Sequence, residues 1–227
     1  MKRILIFLCG TLWLFCSACF DIVEEITLNA DGSGTYETRV NLSGMFEMLM
    51  AMAPDSVKEG MDMDQMMDSI LNSQGGMGEM QGAIDDMNAR DGISNAQQTM
   101  SDGVMTISYN FRDLSAIAEA NDGQMMDNPL GFEQPDFSGK PGLFVRKQGK
   151  TDGDMDAEME ESMQMMEMMM ADATYTVIYN FPGKVKKVSN KGVSWSNGNK
   201  TITQKVEMLD MLDDPSVLSN TIKYKKK

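Results

Sequence analysis

Three cysteines, Cys9, Cys16 and Cys19, all fall within the first nineteen residues, and none of the 227 residues is a histidine. Without imidazole there is no Ser-His-Asp or Cys-His nucleophile, no His-bound zinc and no histidine acid or base. Carboxylate pairs such as Asp85-Asp86 and Asp213-Asp214 are present, but with 34 acidic side chains they are what a solvated acidic surface supplies by default. No glycine-rich loop followed by Lys-Ser/Thr and no Gly-x-Ser-x-Gly turn occurs. Asp152-Gly153-Asp154-Met155-Asp156 opens like a calcium loop, yet Ala157 and Met163 stand where an EF-hand needs glycine and glutamate. The expectation is a protein with no catalytic residues and no cofactor.

The other side chains with distinctive chemistry are the 26 methionines. Met155, Met159, Met163, Met166 and Met170 recur at steps of four, four, three and four, which is one stripe of a helix. Met63, Met66, Met67, Ile70 and Leu71 form a similar stripe earlier in the chain. Unbranched thioethers can fill a helix core in place of leucine, or make a deformable contact surface for acyl chains or partner helices. Met63, Met67, Met163, Met166 and Met170 are the candidate binding surface. The alternative is a Met-rich periplasmic Cu(I)-binding protein, since thioethers select that soft cation. Met61-Asp62-Met63 and Met166-Glu167-Met168 have suitable spacing, but such triplets are inevitable at this methionine content.

The N-terminus reads as an export signal. Lys2 and Arg3 precede a run from Ile4 to Phe15 broken only by Gly10 and Thr11, too short for a comfortable permanent span. Ser17 and Ala18 before Cys19 match a lipoprotein processing site, where the cysteine thiol is acylated and becomes the first residue of the mature chain; Cys16 stands where such sites usually carry leucine, and ordinary secretion or an uncleaved anchor are the alternatives. Two or more acyl chains anchor stably, at ~0.8 kcal/mol per buried methylene. Phe20, rather than aspartate, follows Cys19 and favours the outer membrane of a Gram-negative envelope. No cysteine follows Cys19, so no disulfide is expected.

Asp21 opens an alternating strand with Ile22, Ile26 and Leu28 on one face, and Asp31-Gly32-Ser33-Gly34 turns it into a second strand to Leu42. Helical patterns follow to Pro54 and from Asp55 or Ser56 to Leu71; the glycines of 72–82 read as a loop. A hairpin is expected over 93–111 around Ser101-Asp102-Gly103, then a helix at 113–121 and an irregular, proline-bearing stretch at 122–141. A short strand at 143–146, a helix at 153–171 and a strand at 173–181 come next. Strands at 184–189, 193–196 and 201–206 read as a meander, turning at Asn197-Gly198. A helix at 210–218 and an edge strand at 221–224 close the chain. Thr106–Phe111 and Thr176–Phe181 echo one another, as two sheet strands with inward aromatics would.

Together these give an α+β class: an antiparallel β-sheet of hairpins with Met-rich helices packed on one face, after an N-terminal signal segment. The signal is 1–18 and a single domain spans 19–227, with Met-rich helical segments at 44–71 and 153–171.

Charge is unevenly divided within a net of −14. Residues 183–227 carry ten lysines against four acids, a net of +6, whereas 19–182 carry eight basic and 30 acidic side chains, a net of −22. The acidic body excludes nucleic acid as the main partner. The lysine-rich tail could touch anionic lipid or lipopolysaccharide phosphates, or simply guard an edge strand.

Cys19 followed by a strand and Asp31-Gly32-Ser33-Gly34, then Phe181-Pro182-Gly183-Lys184-Val185 and a strand with Trp195, resembles the LppM-like envelope lipoproteins. The resemblance implies a membrane-tethered α+β domain with no catalytic residues to carry over; the Met-rich middle departs from it. The expected partners are the membrane, through the lipid on Cys19, and a lipid or envelope protein bound without catalysis.

Overall fold

The computed structural model describes residues 21–44, 76–121, 135–149, 170 and 172–226. Cys19, the signal segment and the Met-rich segments, apart from Gly44 and Met170, lie outside the described residues.

The described chain is α+β and mostly sheet. Its strands are β1 (Asp21–Leu28), β2 (Gly34–Asn41), β3 (Ile93–Ser101), β4 (Val104–Phe111), β5 (Asp136–Lys140), β6 (Leu143–Lys147), β7 (Thr174–Asn180), β8 (Val185–Val188), β9 (Val193–Ser196), β10 (Thr201–Glu207) and β11 (Asn220–Tyr224). Helices are α1 (Gly76–Ala89), α2 (Leu114–Asn121) and α3 (Met208–Asp213), with a 3-10 turn at Pro215–Leu218. Seven strands form one sheet in the order β3-β4-β2-β1-β7-β10-β9, and four form a second in the order β5-β6-β11-β8. All pairings are antiparallel except that of β1 with β7.

The hairpins follow their turn chemistry. Asp102 and Gly103 both have positive φ, 53° and 73°, the two-residue turn that matches strand twist. Between β9 and β10 the turn is longer, residues 197–200, with positive φ at Asn197, Gly198 and Asn199. In β2, Gly34 lies opposite Phe111, and a Cβ there would collide with that ring and with the Thr27 carbonyl.

Cross-strand register sorts the inner face of the large sheet into rows. Ile202, Tyr179, Ile26, Tyr36 and Tyr109 form one row, all buried. Gln204, Val177, Glu24, Thr38 and Ile107 form the next. The small sheet covers this face with Phe137, Phe144, Ile222, Tyr224 and Val185, and α2 adds Ala116, Ile117 and Ala120. Phe144 packs between Phe137, Tyr179 and Phe181, and Phe181 meets Tyr224 at 4.7 Å between centroids. The echoed segments are β4 and β7 with the residue that follows it, and their Tyr109, Phe111, Tyr179 and Phe181 are all buried.

Several expectations are corrected. Residues 76–82 belong to α1, not a loop: Ala83, Ile84 and Met87 bury against β3, and that packing overrides glycine's poor helix propensity. Asn88 of α1 bonds both the N–H and the carbonyl of Ala96, where β3 is bulged. Residues 136–140 are a strand, because Phe137 fills the core opposite β6. The meander is broken: β8 pairs with β11 of the small sheet, so only β9 and β10 continue together. The last strand is not an edge, since β11 lies between β6 and β8. Pro215 splits the expected 210–218 helix, ending α3 at Asp213 and restarting as a 3-10 turn.

Candidate functional site

Glu24 shares the inward face of β1 with Ile26 and Leu28, in a position the strand's alternation reserves for an apolar side chain. Its carboxylate is met from the small sheet by Arg146 of β6. Nη1 of Arg146 donates to both oxygens of Glu24 at 2.8 Å, with the two side chains 1% and 0% exposed. Tyr175 of β7 donates its hydroxyl to the same carboxylate at 2.6 Å. Nε and Nη2 of Arg146 donate to Oε1 of Gln148, and the guanidinium lies 5.5 Å from the centre of the Phe137 ring.

Burial, the largest single influence, pulls the Arg146 guanidinium down, but the Glu24 carboxylate together with Tyr179, Tyr175 and Tyr36 pushes the other way and holds it well above its ordinary pKa. The surrounding tyrosines are pushed the other way from ionisation. Burial, and then the Glu24 charge, raise Tyr36 and Tyr175 well above the usual phenol value. Tyr109 is raised by burial and then by Tyr36. Tyr179 is pushed up to about 12 by burial, against the pull of Arg146. Tyr36 and Tyr109 stack at 5.0 Å, and the hydroxyls of Tyr109 and Tyr179 make no hydrogen bond among the described residues. With the carboxylate's oxygens already satisfied, this arrangement acts as a clamp between the sheets.

The next row outward on the same face is apolar and less covered. Val206, Tyr175, Ile22, Val40, Met105 and Met100 lie side by side across five strands and into a sixth. Met105 is buried and the other five are half-buried. This row lies where β1 begins, and Ile22 is three residues from Cys19, within ~10 Å of extended chain. Met170 reaches the same end: its carbonyl accepts from Ala173, whose own carbonyl accepts from Met208.

The opposite end carries a cleft of about 380 Å³ with Leu28, Leu114, Phe137 and Tyr224 in its walls and Asp31, Asp113 and Lys140 beside them. Hydrogen bonds from Ser33 hold Asp31 below its ordinary pKa, and those from Ser115 do the same for Asp113.

Of the residues singled out in the sequence, Met170 is half-buried against the core. Cys19, Met63, Met67, Met163 and Met166 lie outside the described residues. Met87, Met105, Met208 and Met211 are buried, as thioethers that replace leucine would be. Among the described residues no group of three or more Cys, Asp or Glu could hold a metal ion, and no helix is long and apolar enough to cross a membrane. Glu24 and Arg146 escaped the sequence reading. Their signal was phase: Glu24 falls in step with Ile22, Ile26 and Leu28, and Arg146 in step with Phe144.

No family model matches the chain, and no curated protein matches it in sequence. Among solved structures it is similar to the folded domain of the Mycobacterium tuberculosis LppM protein, determined by NMR. The similarity covers 92% of this chain and 91% of that one at 11% identity, with a TM-score of 0.40. The likeness is distant and concerns the fold.

Proposed function

We propose that this chain is a lipid-anchored envelope protein whose domain binds the apolar part of a lipid without transforming it. The observation that carries the reading is the half-buried row of Val206, Tyr175, Ile22, Val40 and Met100 at the end of the sheet where β1 begins, Ile22 being three residues along the chain from Cys19. An apolar strip left partly open beside a membrane anchor suits an acyl chain drawn from the bilayer, or the apolar face of an envelope protein. Cys19 supplies the tether and Phe20 the outer-membrane destination. The buried Glu24–Arg146 clamp in the adjacent row keeps the two sheets from sliding as the apolar row is occupied.

The test is lipid analysis of the protein purified from native membranes, wild type against the double variant V40D/V206D. A defined lipid recovered in near-stoichiometric amount with wild type and lost from the variant supports the reading. Equal lipid in both, with the variant folded by circular dichroism, sinks it.

A further inference from the structure

We infer that the side of the sandwich formed by β8 and β9 docks on anionic lipid headgroups at a bilayer surface. This is a different surface from the apolar row, with a different chemistry. β8 is the outermost strand of the small sheet and β9 the outermost strand of the large one, joined by residues 189–192. The two sheet edges therefore run along one side.

That side is basic. Lys184, Lys186, Lys187 and Lys191 are exposed there, and Lys200 is half-buried in the turn between β9 and β10. Lys187 stands directly opposite Lys223 on the solvent face of the small sheet. The same cross-strand row continues through Leu143 to Lys140, so three of its four positions are exposed lysines. Like charges directly opposite one another destabilise a sheet. None of these lysines forms an ion pair among the described residues. One or two lysines suffice to guard an edge strand against pairing. A row of unrelieved charge is accounted for when its neutralising partner is phosphate.

Trp195 supplies the second observation. At 43% exposed it is the one large exposed hydrophobic side chain among the described residues, and it lies on β9 of this same side. Tryptophan beside lysines is the pairing that polar–apolar membrane interfaces select: the indole sits at headgroup depth and the ammonium groups meet phosphate. Charge complementarity then fixes orientation. The segment 19–182, at −22, is repelled by an anionic bilayer, so the +6 end is the side that can approach it.

After removal of residues 1–18, which contain Trp13, Trp195 is the only tryptophan and reports its own environment. The full protein is reconstituted into phosphatidylcholine vesicles and into vesicles that also contain phosphatidylglycerol. Trp195 emission and acrylamide quenching are read in both, with W195F as the blank. The expected result is blue-shifted emission and protection from quencher in the phosphatidylglycerol vesicles alone, reversed by high salt. The variant K186E/K187E should shift the balance toward the undocked state by at least about fivefold per lysine. The same reading on a chain that starts at Phe20, without Trp13 and without acyl groups, added to preformed vesicles reports docking without the anchor, so failure of docking and failure of anchoring are told apart. Identical Trp195 signals in neutral and anionic vesicles overturn the inference. So does protection that arises only when an acidic envelope protein is added, which would reassign this side to a protein partner.

Discussion

Glu24 of β1 and Arg146 of β6, 122 positions apart, meet in the interior at 2.8 Å to both carboxylate oxygens, with neither side chain more than 1% exposed. One residue comes from the middle of the seven-stranded sheet and the other from the four-stranded sheet that covers it. Tyr175 and Gln148 complete the set, so both charges are met by protein groups. The pair joins the sheets in the row next to the apolar one, so it fixes the sheet spacing beside the candidate binding surface.

Removing one partner leaves the other charge buried and alone. E24A should therefore cost ~3–5 kcal/mol, measured as the loss of unfolding free energy in urea. The double variant E24L/R146M, which replaces the pair by apolar side chains, should recover most of that loss. A single-variant loss within ~1 kcal/mol would mean that water reaches the pair and that the clamp is not sealed.

The tyrosines around the clamp make the fold sensitive to alkali. Each has a folded pKa above the unfolded value of ~10, so the folded state holds its proton longer. The stability this contributes is complete below pH ~10 and is lost as pH rises through the folded values, about 12 for Tyr179. Alkaline titration should show the buried tyrosinates appearing together with loss of the sheet's circular dichroism. Tyrosinate absorbance that develops fully near pH 10 with the sheet intact would contradict the shielding of these four hydroxyls.

The methionines divide into two groups. Met87 is 1% exposed between α1 and β3, so M87A should cost ~2–5 kcal/mol and M87L less than ~1.5 kcal/mol. M163A/M166A should leave the urea midpoint in place and lower lipid recovery, if these residues form a contact surface. A lowered midpoint with full lipid recovery would make them core filler instead.

Much of the sheet was legible because its signals are local. Alternation in β1, β2 and β7, with Asp102-Gly103 and Asn197-Gly198 at the turns, is decided by residues within a few positions of one another. What escaped depended on distant partners. Nothing near Gly76, Gly78 or Gly82 announces that Ile84 and Met87 will bury against β3 and carry those glycines into a helix. The division into two sheets hinges on β8 choosing β11, 34 to 39 positions away, over β9. Pro215 was a stop visible in the sequence and should have ended α3 where it does. The clamp was half legible: a glutamate in phase with Ile22, Ile26 and Leu28 announces a buried charge, but not that Arg146 would answer it. The methionine stripes remain a sequence observation, because Met63, Met67, Met163 and Met166 lie outside the described residues.

An acyl anchor at Cys19 and an apolar row that begins three residues beyond it would act together. A native mass spectrum of the protein released from its own membranes reads both at once. The expected spectrum shows a chain beginning at Cys19, heavier than its sequence by covalent acyl groups, with a lipid held non-covalently that leaves on collisional activation. A chain beginning elsewhere, without acyl groups and without bound lipid, would contradict it.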